Sequence, residues 1–439
     1  MEMERRGSVR RVLLNIQLDI EDEVLDKTKP FDIPKALVWK AFKLVKANKG
    51  SAGIDQESLI DFEQNLTGNL YKLWNRLSSG TYFPPPVKGV AIPKKQGGTR
   101  MLGIPTVSDR IAQMTIKLAF EPCVEPIFFE NSYGYRPNKS ALDAVGVTRK
   151  RCWSYSWLVE FDIRGLFDNI NHELLMKAVR KHTDNKWILL YIERWLKAPM
   201  QMSDGTTISR TCGTPQGGVI SPVLSNLFLH YVFDVWMTMH HKDKPWCRYA
   251  DDGIAHCRTE MKAQQLLVDL KQRFAECGLE LHPEKTKIVY CKDDKRKGNH
   301  QNTTFKFLGY EFRRRMVKGS NNRRFLSFNP AVCKEAKKDI CKTIRRTGIR
   351  SRSELSLQEV ADWLNPMIYG WINYYGKFNK SALKPVMRQI NFTLIKWSMN
   401  KYKAFRYSKA KATQFMIETF ENRPWLFAHW KQGVSGSFV

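Results

Sequence analysis

Two adjacent aspartates near the middle of the chain are the residues best suited to do chemistry. The segment around them, residues 246–257, reads as two short apolar strands joined at Asp251-Asp252-Gly253, a sequence that favours a tight hairpin turn. Successive side chains of a straight strand point to opposite faces of a sheet, so only a turn can aim both carboxylates at one place. The tip of this hairpin is therefore predicted to form half of a metal site.

A third carboxylate that could complete this site lies upstream, at the end of another apolar strand. Asp162 closes residues 157–163 just before a glycine-containing turn and a helix. Mg²⁺ favours a few carboxylate oxygens together with water and substrate phosphates, and two such ions can activate a 3′-hydroxyl and stabilise a leaving pyrophosphate. The three aspartates predict nucleotidyl transfer. Asp-Asp-Gly is also a common surface turn, which is the alternative interpretation of the hairpin.

The charge balance of the chain predicts a polyanionic partner. Its 439 residues include 72 Lys and Arg against 43 Asp and Glu, a net charge of +29, which indicates nucleic acid. A generally basic protein without such a partner is the alternative. The nine cysteines form no Cys-x-x-Cys pair, which argues against a disulfide framework or a zinc ribbon. No apolar run is long enough to span a bilayer, so we expect a cytoplasmic protein with no membrane partner.

A basic hairpin is predicted upstream of these aspartates. Residues 87–104 read as two strands joined by a Gln96-Gly97-Gly98 turn, and a ribbon of this kind can lie over the triphosphate of a nucleotide. Its cationic side chains are Lys88, Lys94, Lys95 and Arg100. A solvated basic hairpin without a ligand is the alternative.

An aromatic and cationic turn follows at residues 131–140. It interleaves Tyr133 and Tyr135 with Arg136, a pattern suited to stacking on bases and holding backbone phosphate. A buried structural turn is an equally good interpretation of the two tyrosines.

Two further features lie between Asp162 and the hairpin. Phe167 follows Asp162 by five residues, and a ring beside a metal ligand could crowd a ribose 2′-position and favour deoxynucleotides, although a core position is the alternative. Residues 212–222 contain three glycines and Gln216, which predicts a loop whose backbone can approach a ligand closely before an apolar helix begins.

The order of the predicted elements indicates an α+β fold. Strand, helix, hairpin, helix and strand in succession are typical of a split βαβ, ferredoxin-like sheet, which would bring the end of the Asp162 strand beside the hairpin tip. Residues 279–291 are predicted to be a strand carrying Lys285 and Lys287, with residues 305–312 as its partner strand. From about residue 329 the chain becomes helical, basic and rich in aromatics, which suggests a small domain that grips structured RNA by its backbone.

With these segments in order, the chain resembles the reverse transcriptases of the group II intron type. The resemblance covers about residues 33–430. It rests on eight motifs in the expected order: Ile92-Pro93-Lys94 through Arg100; Gly103-Ile104-Pro105-Thr106-Val107-Ser108-Asp109-Arg110; Tyr133-Gly134-Tyr135-Arg136-Pro137; Phe161-Asp162-Ile163; Thr214-Pro215-Gln216-Gly217-Gly218; Tyr249-Ala250-Asp251-Asp252; Leu308-Gly309-Tyr310; and Tyr369-Gly370-Trp371-Ile372-Asn373-Tyr374-Tyr375.

The resemblance implies a right-hand polymerase fold. It predicts an N-terminal extension at residues 1–32, fingers at 33–155, a ferredoxin-like palm at 156–315 and a helical thumb or maturase domain at 316–439. Many members of the family end in a zinc-binding HNH endonuclease with paired cysteines, and this sequence shows none. We therefore expect a form that does not cut DNA and that primes from a strand end made elsewhere.

The resemblance also implies roles for individual residues. The two Mg²⁺ ions, for which Mn²⁺ could substitute, would be held by Asp162, Asp251, Asp252 and the backbone carbonyl of Ile163. The nucleotide would be contacted by Lys94, Arg100, Phe167, Gln216 and Lys285, with Phe167 as the steric gate and Lys285 as a candidate acid for pyrophosphate release. RNA and template contacts are expected at Tyr133, Tyr135, Arg136, Tyr369, Trp371, Tyr374 and Tyr375. The proximity of Lys287 leaves the assignment of Lys285 open.

The function implied is that of an RNA-directed DNA polymerase that binds group II intron RNA and assists its splicing and mobility. Its expected partners are the intron RNA, an RNA template with a DNA primer, and deoxynucleoside triphosphates, in a bacterial cytoplasm and in association with the nucleoid. Two alternatives stay open: a splicing maturase without significant polymerase activity, and a domesticated reverse transcriptase that serves repair or phage defence.

Overall fold

The computed structural model describes residues 29–93, 97–318 and 323–438. These residues form two compact units. The first contains the chain up to Pro137 together with Ile163–Lys242 and Leu270–Leu281, and the second contains Asn138–Asp162, Asp243–Asp269 and the chain from His282 onward. Most of the predicted N-terminal extension, residues 1–28, lies outside the described residues. The predicted division into fingers, palm and thumb at residues 155 and 315 stays a prediction.

The described elements up to residue 242 are mainly helices, with five strands. They are α1 (Lys35–Asn48), α2 (Leu59–Gln64), α3 (Leu66–Ser78), β1 (Val87–Pro93), β2 (Thr99–Ile104), α4 (Val107–Val124), α5 (Ala141–Ser154), β3 (Trp157–Asp162), α6 (Leu166–Asn169), α7 (His172–Arg180), α8 (Lys186–Lys197), β4 (Met200–Gln201), β5 (Thr207–Ile208), α9 (Ser221–Leu229) and α10 (Val235–His240).

The later elements comprise six strands and then a helical C-terminal region. They are β6 (Trp246–Tyr249), β7 (Asp252–Cys257), α11 (Glu260–Glu276), β8 (Lys287–Tyr290), β9 (Phe305–Phe307), β10 (Tyr310–Lys318), β11 (Arg324–Val332), α12 (Lys334–Arg346), α13 (Leu357–Tyr375), α14 (Lys384–Lys401), α15 (Lys409–Asn422) and α16 (Ala428–Lys431).

The first unit is built around α4 and the predicted basic hairpin. Strands β1 and β2 pair antiparallel with Val90 opposite Leu102, and β4 joins the other edge of β1, so the predicted hairpin is confirmed. Its turn residue Gln96 lies outside the described residues. Helix α4 begins where the Thr106 side chain accepts a hydrogen bond from the Asp109 backbone N–H, which satisfies a donor that the first helical turn leaves free. Most of α4 is buried, which makes it the central helix of this unit.

The second unit contains the sheet predicted for the three aspartates. Its strand order is β6-β7-β3-β8, and β3 pairs antiparallel with both neighbours. The central position of β3 explains its sequence, since five of its six residues are buried and therefore apolar or hydrogen-bonded. The expected proximity of the Asp162 strand and the hairpin is confirmed.

Strand pairing after the hairpin differs from the prediction. The predicted strand at 279–291 is a strand only over β8, and its partner is β3 rather than residues 305–312. Those residues form β9 and the start of β10, which belong to a separate three-stranded sheet with the order β11-β10-β9. The chain reverses between β9 and β10 because Leu308 and Gly309 adopt positive φ angles of 51° and 77°. The apolar run predicts a single strand because alternation alone does not reveal a tight turn.

The C-terminal helices enclose their own hydrophobic core. It is lined by α12, α13, α14 and α15 and is closed by α16, with Trp397 and Phe427 fully buried. Helix α13 starts with a capping box in which the side chains of Ser356 and Glu359 satisfy each other's backbone N–H groups. Among the helices that the structure describes, none combines the length and the apolar character needed to cross a membrane.

Candidate active site

Two of the predicted metal ligands lie side by side on the central sheet. Asp162, the last residue of β3, is the direct partner of Asp252, the first residue of β7. The preceding pair brings Gly253 opposite Phe161, and a Cβ on Gly253 would lie only 2.0 Å from the Phe161 ring. The ring therefore packs directly over the backbone of β7. Gly253 is the second residue of β7, and this close packing requires glycine at that position.

The hairpin turn lies one residue earlier than predicted. Tyr249 pairs with Asp252, so the turn consists of Ala250 and Asp251, and Ala250 takes a positive φ of 55°. Arg248 supports this turn from within the core, since its fully buried guanidinium donates to the Ala250 carbonyl oxygen at 3.3 Å. Glycine is common in turns, which is why the sequence predicts Gly253 in the turn. In the structure Gly253 lies in β7, where the Phe161 ring packs against its backbone.

The structure distinguishes the two lysines that the sequence left open. The ammonium group of Lys285 lies 2.9 Å from a carboxylate oxygen of Asp162, whereas that of Lys287 lies 3.3 Å from the carboxylate of Glu160. Lys287 is in β8 and pairs with Glu160 across the sheet. Lys285 lies two residues before β8, and its side chain extends to Asp162 at the carboxyl end of β3. Lys285 is thus the lysine beside the aspartates.

The paired aspartates repel each other electrostatically. Burial, followed by the neighbouring carboxylates of Asp251 and Asp162, raises the pKa of the Asp252 carboxyl to about 8, although the Lys285 ammonium acts in the opposite direction. A hydrogen bond to Asp162 also stabilises the protonated form of Asp252. Neighbouring carboxylates resist ionising together unless a positive charge lies nearby. The Lys285 ammonium offsets only part of the rise in the pKa of Asp252.

The donor chemistry of this site fits a hard divalent cation. Carboxylate oxygens that lie close together are ligands that Mg²⁺ uses, and a cation between them would relieve the repulsion that, together with burial, raises the pKa of Asp252. Over residues 29–93, 97–318 and 323–438, however, no three His, Cys, Asp or Glu side chains are gathered closely enough to form a ready-made metal site. The three aspartates therefore satisfy the chemistry, while their assembly around an ion stays a prediction. Ile163, whose carbonyl is the fourth predicted ligand, is buried and forms a bridge with Leu281.

In the first unit, the structure brings together Phe167 and the predicted glycine-rich loop. The Phe167 carbonyl oxygen accepts a hydrogen bond from Thr214 N at 2.6 Å, and the Gln216 side chain donates to Asp168 at 3.0 Å. A Cβ on Gly213 would lie 2.6 Å from the Phe167 and Asp168 carbonyl oxygens, which explains the glycine at this position. The two predicted nucleotide contacts, Phe167 and Gln216, thus belong to one hydrogen-bonded cluster.

Two further residues, to which the sequence assigns no role at this site, support this cluster. Asp109 and Gln113 are buried on α4, and the Gln113 side-chain oxygen accepts backbone N–H groups from the end of the loop. Their signal was the i, i+4 spacing of two polar residues on the helix face that also carries apolar residues. Of the predicted phosphate contacts, Arg100 is exposed on β2 and Lys94 lies outside the described residues.

The turn around Tyr135 is tied to the protein by Arg136. The Arg136 guanidinium is 7% exposed, forms an ion pair with Glu125 at 2.7 Å and donates to the Phe129 and Ser132 carbonyl oxygens. Tyr133 is also buried, while Tyr135 is 49% exposed. Arg136 and Tyr133 therefore hold the turn in shape, and Tyr135 is the member whose ring is accessible. Contact of this turn with RNA stays a prediction.

Two of the recognised motifs pack against each other in the second unit. The Tyr374 hydroxyl donates to the Leu308 carbonyl oxygen at 2.8 Å, and the Tyr310 hydroxyl donates to the Tyr374 carbonyl oxygen. A side chain at Gly309 would be crowded, because the Tyr375 hydroxyl lies 3.0 Å from its Cβ position, and the positive φ of 77° also favours glycine. These contacts give the tyrosines a structural role that their motif did not reveal.

The other predicted aromatic contacts lie on the same helix. Tyr369 and Trp371 are partly buried against the C-terminal core. Their predicted RNA contacts, like those of Tyr374 and Tyr375, stay predictions.

The comparison with known families agrees with this chemistry. Residues 92–312 match the reverse transcriptase (RNA-dependent DNA polymerase) family. The chain belongs to the reverse transcriptases. Residues 337–415 match the maturase-specific domain of group II introns. The resemblance to reverse transcriptases of the group II intron type is therefore confirmed, and with it the right-hand polymerase fold and the class of RNA-directed DNA polymerase.

Two relatives of this reverse transcriptase are about one third identical to it over the residues that align. It is 31% identical to Protein YkfC of Escherichia coli K12 over 63% of this chain and 80% of that protein. It is 32% identical to the group II intron-encoded protein LtrA of Lactococcus lactis, over 51% of this chain and 37% of LtrA. Among solved structures, telomerase from Candida albicans in complex with a fragment of telomeric RNA matches 86% of this chain and 68% of that chain, with a TM-score of 0.44 and 10% identity. A likeness of that size carries no argument about function.

Proposed function

We propose that this reverse transcriptase extends a DNA primer along an RNA template by nucleotidyl transfer at two Mg²⁺ ions held by Asp162, Asp251 and Asp252. The observation that carries this proposal is the direct pairing of Asp162 with Asp252 at the end of the central strands. When bound, the ions would activate the primer 3′-hydroxyl and stabilise the leaving pyrophosphate.

A few side chains of the protein would each contribute one role to this reaction. The aspartates would bind the ions and orient the reacting groups, and the raised pKa of Asp252 favours the protonated carboxyl in the absence of a divalent cation. Lys285 holds a proton 2.9 Å from Asp162, and we assign it to the leaving pyrophosphate. Phe167 and Gln216 would contact the incoming deoxynucleotide, and Arg100 with Lys94 would hold its phosphates.

We further propose that the C-terminal region binds structured intron RNA and thereby assists splicing and mobility. A cavity of about 560 Å³ opens there between β10, β11, α12 and the start of α14. Its cationic lining consists of Arg313, Arg314, Arg315 and Lys337. Glu311 pairs with Arg313 and Arg315, and Asp294 pairs with Arg314.

Lys337 is the cation of this cavity that most clearly favours an anion. It has no carboxylate within ion-pair distance among the described residues. Its pKa is lowered by burial and by the guanidinium groups of Arg315 and Arg313. Such crowded cations are stabilised by phosphate, so the cavity suits a nucleic-acid backbone.

We further propose that the protein acts in the cytoplasm, associated with the nucleoid, because the substrates proposed for it are RNA, a DNA primer and nucleotides.

The polymerase proposal is tested by primer extension with purified protein, an RNA template, deoxynucleotides and Mg²⁺. The comparison variant is Asp251→Asn, Asp252→Asn, which keeps the shape of the turn but removes its charge. We expect the wild type to extend the primer and the variant to be inactive while it still binds RNA. A wild type that binds structured RNA without extending a primer would instead support a splicing maturase without polymerase activity.

The RNA proposal is tested by measuring affinity for structured RNA across a range of salt concentrations. Binding through phosphates should weaken steeply as the salt concentration rises. Lys337→Gln should reduce the slope of log affinity against log salt concentration by about one, because one fewer counterion is released. Lys242→Gln, on a residue outside the C-terminal region, serves as the matched control. An affinity that does not respond to salt would contradict the proposal.

A further inference from the structure

A continuous chain of buried hydrogen bonds connects helix α4 with the loop that carries Gln216. The carboxylate of Asp109, which is 1% exposed, accepts hydrogen bonds from the Tyr82 hydroxyl at 2.8 Å and from the Trp195 indole N–H at 2.7 Å. Its second oxygen accepts the Gln113 side-chain N–H at 2.9 Å. No described cation forms an ion pair with Asp109; burial raises the pKa of its carboxyl, and the three hydrogen bonds act against that shift.

The side chain of Gln113 continues the chain to the loop. Its oxygen accepts the backbone N–H of Val219 at 2.7 Å and that of Ile220 at 3.3 Å. Both N–H groups precede the first turn of α9, where they have no partner within the helix. Gln113 therefore anchors the loop at the point where it enters α9.

The hydrogen bonds in this chain have one consistent direction. Tyr82 and Trp195 can only donate to Asp109, because a carboxylate accepts and an indole N–H donates. The Gln113 nitrogen must then face Asp109, which leaves the Gln113 oxygen facing the loop. The charge on Asp109 thus sets the orientation of the Gln113 amide.

The rest of the loop is fixed at two further points. The Gly103 N–H donates to the Gln216 carbonyl oxygen at 2.8 Å, and the Ser221 hydroxyl donates to the Pro215 carbonyl oxygen at 2.9 Å. Gly217, with a φ of 115°, lies so near Gly103 that a Cβ would approach its carbonyl oxygen to 2.6 Å. Gly103 at Gln216 and Gln113 at Val219 thus hold the two ends of the same four-residue segment of the loop.

We propose that Asp109 and Gln113 are positioning residues for nucleotide addition, which hold the loop so that Gln216 meets the incoming nucleotide. The inference rests on the proposed role of Gln216 in the polymerase. Neither residue touches the nucleotide, and both act through the backbone of the loop.

A polarity exchange tests the proposal. Asp109→Asn brings an amide nitrogen against the Gln113 nitrogen, and Gln113→Glu brings two carboxylates together. In the double variant each donor again meets an acceptor, because the introduced asparagine keeps an oxygen for Tyr82 and Trp195 and the introduced glutamate keeps one for the loop. Thr115→Val, which removes a buried hydroxyl of the same helix that bonds only to Ile111 within α4, is the matched control.

The readout is the deoxynucleotide concentration that gives half-maximal primer extension. We expect each single variant to raise it at least about tenfold, equivalent to one lost buried hydrogen bond, with a smaller change in the maximal rate. The double variant should return to within about threefold of the wild type, and Thr115→Val should stay at the wild-type value. A folded double variant no better than the worse single variant overturns the proposal.

Hydrogen exchange of the Val219 and Ile220 amides provides a second measurement that does not depend on activity. Gln113→Met keeps the volume of the side chain, and it should accelerate exchange at both amides by about tenfold or more. Unchanged exchange rates at these two amides would show that Gln113 does not anchor the loop. Failure of the wild type to extend a primer would count against the polymerase proposal, whereas the exchange experiment would still decide whether Gln113 holds the loop.

Discussion

Asp162 and Asp252 are direct partners across two antiparallel strands, with the ammonium group of Lys285 2.9 Å from Asp162. The two carboxylates repel each other in this arrangement, and a divalent cation bound between them would relieve the repulsion. Burial and the same repulsion raise the pKa of Asp252 from an ordinary value of 3.8 to about 8. Stability should therefore depend on both pH and Mg²⁺.

The first prediction concerns the pH dependence of stability without Mg²⁺. Between about pH 4 and pH 8 the folded protein holds a proton on Asp252 that the unfolded chain has released, so the free energy of unfolding should fall as pH rises. The slope is at most about 1.4 kcal/mol per pH unit. Denaturant titrations at pH 5 to 8 measure it. Asp252→Asn should lack this component, and Mg²⁺ should remove it from the wild type; equal slopes in wild type and variant would contradict the pKa assignment.

The second prediction separates the two lysines. Lys285→Met removes the ammonium beside Asp162 and should lower the maximal rate of primer extension by roughly 10²-fold, as expected for loss of a general acid. Lys287→Met removes the partner of Glu160 and should change the rate by less than about threefold, since Lys287 contacts Glu160 and not an aspartate of the site. Single-turnover extension with saturating nucleotide provides both rates. Equal losses in the two variants would show that neither lysine acts as the acid.

The third prediction concerns Gly253. A methyl group there would meet the Phe161 ring at 2.0 Å, so Gly253→Ala should destabilise the protein by about 2 kcal/mol or more through overpacking. Gly370→Ala is the matched control because a Cβ at Gly370, in helix α13, meets nothing within 4 Å. That control should gain up to about 1 kcal/mol from helix propensity. Denaturation midpoints measure both changes, and a fully stable Gly253→Ala protein would contradict the close packing of Phe161 on β7.

The fourth prediction concerns sugar selection. If Phe167 crowds the ribose 2′-position, Phe167→Val should admit ribonucleotides and lower the preference for deoxynucleotides by about tenfold or more, while extension with deoxynucleotides persists. Tyr135→Phe is the control, since it keeps the ring that lies 6.3 Å from Phe167. Competition between deoxy- and ribonucleotides in one extension reaction measures the preference. A Phe167→Val enzyme with unchanged preference would exclude Phe167 as the gate.

Much of the architecture around the aspartates could be predicted from local pattern. The hairpins at 87–104 and 246–257 follow from apolar alternation interrupted by turn residues. The pairing of the Asp162 strand with the second hairpin follows from the order of elements. The position of the turn at Ala250 and Asp251 did not follow, because the ring of Phe161, far away in the sequence, decides that Gly253 is a strand residue.

The sequence by itself determined the chemical class of this protein, because three aspartates at the ends of apolar strands or in the turn between them, a basic excess and eight ordered motifs are each local features of the chain. Tertiary structure decided which lysine reaches Asp162 and which residues hold the Gln216 loop. It also decided that Arg136 and Tyr374 are structural anchors. These outcomes depend on contacts between residues far apart in sequence, and a hydrogen-bond partner or a packing distance is fixed only when the chain has folded.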